Sequence, residues 1–279
     1  MTKFLMASAL FIMVLSNAVS LRAEEALYEM RVYTPESGRR ADMLKLMEGT
    51  GRKFLAIHKL DLVGAWTPND AADERVVTLI KHADRKSCDA AWSAFQADPA
   101  WQSESKAAAI DGKMPVKGVE RIFLTVNDYS PELKKEDVGN RVFELRTYIA
   151  TPNNLGALNK RFKNHTLGLF QKHGMTNIVY WSIAKDEPMP AAKLLNAVSP
   201  VGKGNAEISA ELPADGNALV YFITHKSEDA AKASFDSFGK DDAWKKARTE
   251  SEQAAGGSLT AGGAVKSWFL KPTSFSPLK

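Results

Sequence analysis

Twice in this chain a carboxylate, a guanidinium and a phenol stand at alternate residues: Glu29, Arg31 and Tyr33, then Glu144, Arg146 and Tyr148. Alternate side chains of an extended strand share one face, so each triplet presents an acid, a base and an aromatic hydroxyl side by side. Burying such groups is costly unless they are paired and hydrogen-bonded, and a paired cluster in an apolar interior shifts pKa values as functional sites do. Arg31 or Arg146 would then receive an acidic or carbonyl-bearing ligand through its fixed fork of donors. Two other readings fit the same triplets. One is an exposed sheet face with weak cross-strand pairs, and the other is a structural ion pair that fixes two layers.

The five histidines add less. His165 falls in an apolar row with Leu158, Phe162 and Leu169, where Thr50 stands in an equivalent earlier segment. It reads as a core histidine with one hydrogen bond, or as a ligand-site residue found in one segment only. His58 and His173 close predicted helices, and His82 and His225 close predicted strands, where capping or surface roles are expected. With Cys88 as the single cysteine and no H-x-H or H-E-x-x-H pattern, no metal site is expected. No Ser, Cys or Gly-rich signature supports a nucleophilic triad, a P-loop or a dinucleotide site. Haem held through one histidine has no residue that singles itself out, so no cofactor is expected.

The elements that must position these groups occur twice. Tyr28-Glu29-Met30-Arg31-Val32-Tyr33 returns 115 residues later as Phe143-Glu144-Leu145-Arg146-Thr147-Tyr148, and the same offset carries His58 onto His173 and Trp66 onto Trp181. After an insertion at about 183–216, rich in Pro, Gly and Ala, His82 meets His225, Trp92 meets Phe235 and Phe95 meets Phe238. At the ends, residues 122–124 meet 268–270 and Ser130-Pro131 meets Ser276-Pro277. Two modules are expected, at 26–131 and 141–279. A unit this long is a duplicated domain rather than a solenoid repeat.

Residues 1–23 have the pattern of a Sec-type signal peptide: Lys3, an apolar run over 4–15, and small residues at Ala18, Ser20 and Ala23, each a plausible cleavage position. The run is shorter than the roughly 20 residues that span a bilayer, and nothing later is comparable, so the protein is not expected to be transmembrane. A periplasmic or secreted location is expected. Without Lys3 and Arg22 the 37 basic residues become 35 against 33 acidic ones. They are scattered with no basic stripe, which speaks against nucleic-acid binding. One cysteine permits no internal disulfide, so packing must supply the stability.

Within a module, residues 27–33 alternate as a strand. A helix follows with Met43, Met47 and Phe54 on its apolar stripe, answered by Leu158, Phe162 and Leu169. Short β-rich runs at 62–66 and 75–82 read as a hairpin, matched by 178–183 and 218–225. A second helix carries Cys88, Ala91, Trp92 and Phe95 on one face, then breaks at Asp98-Pro99, where Asp98 caps a new turn. Residues 120–126 close the unit as a fourth strand. The order β-α-β-β-α-β is the ferredoxin-like split unit. Helices on one sheet face leave the other bare, so the copies are expected to pack sheet to sheet. Tyr28, Met30 and Val32 would then face the helices, with the charged triplets between the layers.

Residues 28–33 and 143–148, Gly64-Ala65-Trp66, Tyr180-Trp181 and Ala97-Asp98-Pro99-Ala100-Trp101 together resemble the NIPSNAP family over essentially the whole mature chain. The resemblance implies an α+β fold of two tandem ferredoxin-like repeats forming an intramolecular α+β barrel pseudo-dimer. That fold also serves cofactor-independent monooxygenases, haem-dependent enzymes and simple stress proteins. The resemblance implies no settled reaction. Members of the family are often mitochondrial and linked to signalling or vesicle traffic; a mitochondrial targeting segment would be Arg- and Ser-rich and amphipathic, unlike this leader, so roles tied to mitochondria are not transferred. Two readings of function stay open: small-molecule binding or cofactor-independent catalysis in the barrel cavity, and a non-catalytic interaction module whose insertion contacts a partner. A homo-oligomer is compatible with both.

Overall fold

The computed structural model describes residues 26–201, 212 and 217–279. The expected leader with Ala18, Ser20 and Ala23, and positions 202–211 and 213–216 of the expected insertion, lie outside the described residues.

Each half runs β-α-β-β-α-β. The first contributes β1 (Leu27–Pro35), β2 (Asp61–Pro68), β3 (Val76–His82) and β4 (Val116–Val126), and the second β5 (Val142–Ala150), β6 (Thr176–Ile183), β7 (Ala218–His225) and β8 (Thr260–Pro272). The eight strands close one antiparallel barrel in the order β1-β3-β2-β8-β5-β7-β6-β4. Closure uses two short seams between the halves: Trp66 to Pro68 of β2 pair with Pro272 to Leu270 of β8, and Leu124 to Val126 of β4 pair with Ile183 to Trp181 of β6. A closed barrel leaves no free sheet edge.

Helices cover the outside. In the first half α1 (Arg40–Leu46) and α2 (Arg52–Ile57) are joined by a π-helical turn at Met47–Gly51, and α3 (Arg85–Ala97) is followed by α4 (Pro99–Ala107). Asp98 caps α4 as expected, accepting from the Ala100 and Trp101 amides. The second half repeats this with α5 (Leu155–Arg161), a π-helical turn at Phe162–Thr166 and α6 (Leu167–Lys172). An unexpected helix, α7 (Ala191–Val198), lies in the insertion; α8 (Glu228–Lys240) and α9 (Asp242–Ala254) complete the cover.

The faces of the strands are the reverse of the expected ones. Tyr28, Met30 and Val32 lie in the barrel interior with Phe143, Leu145, Trp66, Trp181 and Trp268, and Trp66 meets Phe143 and Phe222 of the other half at 5.6 and 5.0 Å between ring centroids. The charged triplets point outward, beneath the helices. The physical reason is that a closed barrel interior is dry, whereas the helical layer brings indole, imidazole and guanidinium groups that can satisfy a buried carboxylate.

The helix α7 is not a free surface. Ala191, Leu194, Leu195 and Val198 join the interior core. Its C-terminal carbonyls are capped from the first half by Arg75, which donates to Ala197 O at 3.0 Å and Ser199 O at 2.6 Å. Asp73 grips the same guanidinium through both carboxylate oxygens.

The ends of the halves cross over. Ser276 Oγ accepts the Ala65 amide of β2 at 2.9 Å, and Ser130 Oγ accepts the equivalent Tyr180 amide of β6 at 3.0 Å. Each half thereby lays its last residues against the other, with Phe275 delivered to the first half and Tyr129 to the second.

Candidate functional site

The carboxylate of Glu29, fully buried on β1, is the centre of the first half's polar network. Trp92 Nε1 of α3 donates to its Oε2 at 2.6 Å, and His82 Nε2 of β3 lies 3.1 Å from the same oxygen. On the other oxygen, Arg121 Nε of β4 donates to Oε1 at 2.6 Å, while Arg31 Nη1 reaches it only at 3.5 Å. Burial pushes the Glu29 carboxyl up. The His82 hydrogen bond, the Arg31 charge and the Arg121 contacts outweigh it and hold the group at about 2. Cys88, also fully buried, places Sγ 3.7 Å from Oε2. Burial first, and then the Glu29 charge, pushes the thiol up to about 12.

Glu29, His82 and Cys88 bring one donor atom each within 4.8 Å of one another. Sequence spacing hid this grouping, since the residues lie on three elements. These are donor types that ligate transition metals. Here both carboxylate oxygens already accept from N–H donors, the thiol is held protonated, and a guanidinium stands beside the group. The set is arranged as a locked ion-pair network.

In the second half, Glu144 accepts from Arg146 Nη1 at 2.5 Å and Ser267 Oγ at 2.5 Å, with His225 Nε2 at 2.7 Å. Arg146 Nη2 also donates to the Tyr148 hydroxyl at 3.2 Å. Ser267 stands where the first half has Arg121, because Glu29 pairs across β4 with Phe123 as Glu144 pairs across β8 with Phe269. Burial outweighed by hydrogen bonds and by the Arg146 charge leaves Glu144 below the usual carboxylate range.

Between β1, β3 and the helices of the first half lies a cavity of about 330 Å³. Its walls are apolar, formed by Met43, Met47, Leu55, Trp92, Phe95 and Trp101. Arg31, Tyr33 and Thr78 supply polar groups at the sheet side, Gln96 adds an amide from α3, and Phe275 closes one wall from the crossed-over tail. Among the described residues Arg31 Nε is buried without a hydrogen-bond partner, as is the matched Arg146 Nε. Burial raises the Tyr33 phenol above its usual value, so it is a neutral hydroxyl.

The equivalent space in the second half is filled. Thr78 sits opposite Arg31 on β3, and Tyr221 sits opposite Arg146 on β7. The Tyr221 ring stacks on Tyr180 at 4.9 Å and packs against Phe162 at 5.3 Å. Phe162 and Phe170 replace Met47 and Leu55 in the matching register, and both are buried.

Of the residues singled out from sequence, Arg31 and Tyr33 line the first cavity with Glu29 beside Arg31, and Glu144, Arg146 and Tyr148 meet at the packed second position. Because these groups lie on the outside of the barrel, the two triplets do not face each other across two layers. His165 belongs to neither group. It is exposed, because the π-helical turn inserts an extra residue and rotates the buried row onto Leu158, Phe162, Thr166 and Phe170. His58 and His173 behave as helix-end histidines, bonding the cap residues Asp98 at 2.9 Å and Asp241 at 2.8 Å. His82 and His225, expected at surface or capping positions, are buried partners of the two glutamates. Sequence reasoning did not reach Thr78, Cys88, Arg121 or Phe275. The aligned His82 and His225 were the available signal, since antiparallel pairing of the first and third strands places them beside the glutamates.

Residues 28–131 match the NIPSNAP family model. No curated protein sequence matches the chain. Among solved structures, an anthrone oxidase-like protein superposes with a TM-score of 0.52 at 12% identity, covering 91% of this chain and 94% of that one. A protein from Lactobacillus acidophilus NCFM, provisionally named a monooxygenase, gives a TM-score of 0.50 at 12% identity over 89% and 94%. These two share the fold of the whole barrel. An uncharacterized NIPSNAP domain protein from Burkholderia xenovorans is 25% identical over 38% of this chain and 99% of its own, with a TM-score of 0.33. Residues 28–131 of this chain are therefore a NIPSNAP domain.

Proposed function

We propose that this protein is an exported small-molecule binding protein whose ligand occupies the cavity between β1, β3 and the helices of the first half. One observation carries the reading: of two matched positions in a duplicated fold, the first keeps a cavity of about 330 Å³ beside Arg31 and Thr78, and the second is packed with Tyr221. Packing density in protein interiors is high, so an apolar-walled space with convergent polar groups is the expected form of a ligand site. The ligand would lie against Trp92, Trp101 and the methionines and turn a polar atom toward Arg31, Thr78 and Tyr33. Export rests on the leader pattern at residues 1–23.

Catalysis in the same cavity is the extension suggested by neighbours named monooxygenase and anthrone oxidase-like, and at 12% identity it is an analogy of fold. An interaction module would have to use surfaces other than the apolar face of α7, which is buried in the barrel core.

The test is Thr78→Tyr, which installs the second half's residue. A fragment screen read by thermal shift should give ligands that stabilise the wild type and not the variant. Hits that stabilise both equally would place binding elsewhere and end the reading.

A further inference from the structure

We infer that the ligand of the first half's cavity is an anion, an apolar and preferably aromatic molecule carrying a carboxylate that Arg31 receives. The inference rests on the cavity reading above and adds the charge of the occupant. It comes from comparing the two halves charge by charge. In the second half one carboxylate, Glu144, faces one guanidinium, Arg146, and the two are joined at 2.5 Å. In the first half one carboxylate, Glu29, faces two guanidinium groups. Arg121 takes Glu29 at 2.6 Å, and Arg31 is left at 3.5 Å. The histidines His82 and His225 are matched between the halves and cancel in the comparison.

Arg31 is therefore a buried cation whose natural partner has been claimed by another residue. Its side chain is 9% exposed, whereas Arg121 is 37% exposed and has water as well as Glu29. Glu187, whose charge also acts on Arg121, is held by Arg85 at 2.8 Å. Among the described residues no Asp or Glu lines the cavity, and its second charged residue is Arg52. What Arg31 does have is the face of Trp92, 3.7 Å from its guanidinium carbon. That contact stabilises the cation, and Arg31 lines the open cavity, where its guanidinium can meet a ligand. A guanidinium matches a carboxylate in two parallel hydrogen bonds, and an ion in a dry site gains most from an opposite charge. A neutral carbonyl would leave the surplus charge uncompensated.

The experiment uses two probes of one shape, 2-naphthoate and 2-naphthamide, titrated calorimetrically into the full mature protein. The naphthoate should bind at least about 10-fold more tightly than the amide. In Arg31→Gln this preference should fall to near unity while amide binding stays within about twofold. Should Arg31→Gln fail to fold, Arg121→Ser answers the same question. It installs the second half's residue, frees Glu29 to close on Arg31, and should lower the naphthoate preference. Equal binding of both probes, or a preference for the amide, overturns the inference; if Thr78→Tyr abolishes that binding, the cavity reading survives. Naphthoate binding unchanged by Thr78→Tyr overturns both. A wild type that takes up no naphthoate also overturns the inference, and the fragment screen then decides the cavity alone.

Discussion

The indole Nε1 of Trp92 donates to Glu29 Oε2 over 2.6 Å and ties α3 to β1 through a buried charge. The residue in the same place in the second half is Phe235, which has no donor. Trp92→Phe keeps the aromatic packing and removes one hydrogen bond to a carboxylate that cannot reach water. A loss of about 1–3 kcal/mol of stability is expected, measured by urea denaturation near neutral pH. No measurable loss would mean that the bond is not made in solution.

Glu29 also sets an acid limit. Its carboxyl is held at about 2 in the folded protein, below the ordinary 4.5. The folded state thus binds this proton less readily than the unfolded chain does. The stabilisation it contributes is complete above pH 4.5 and is lost as pH falls from there toward 2. Glu29→Gln should lower stability at pH 7 and flatten its slope in that window. A slope as steep as that of the wild type between pH 4.5 and 2 would assign the acid sensitivity to other groups.

Tyr221 is the plug of the second cavity, so Tyr221→Thr should reopen it. Removing a buried ring costs about 3 kcal/mol in stability. The gain is a second space shaped like the first, in which Arg146 is already neutralised by Glu144. Neutral fragments that bind the wild type once should then bind twice, with the stoichiometry read by calorimetry. A destabilised variant that still binds once would show that the second half collapses instead of opening.

Cys88 should be silent toward thiol reagents in the native protein at pH 8. It is fully buried, and burial followed by the Glu29 charge pushes its thiol to about 12. Ellman's reagent should report one thiol only in denaturant. Rapid native labelling would contradict the packing of α3 on the sheet.

The crossed tails predict matched losses. Ser276→Ala removes the acceptor of the buried Ala65 amide, and Ser130→Ala removes that of the Tyr180 amide. Each should cost about 1–3 kcal/mol. Ser276→Ala alone should also weaken ligand binding, because it loosens the tail that carries Phe275 into the cavity wall. Equal effects of both variants on binding would remove Phe275 from the site.

The amino-acid sequence by itself determined the duplication, the β-α-β-β-α-β order of each half, the Asp98 cap and the placing of Glu29 beside Arg31 and of Glu144 beside Arg146 on one strand face. All of these are written in short-range spacing and in a fixed offset between copies. Tertiary structure decided which face of β1 and β5 turns inward. Both faces are buried, and a two-residue alternation cannot say which side is dry and which meets helices. It also decided the fate of His165, turned outward by a π-helical turn that leaves no mark in an apolar row read at 3.6 residues per turn. Finally, it set Arg121 against Glu29 and Thr78 against Arg31. Those contacts join strands distant in sequence, and the closed barrel alone brings them within hydrogen-bonding reach.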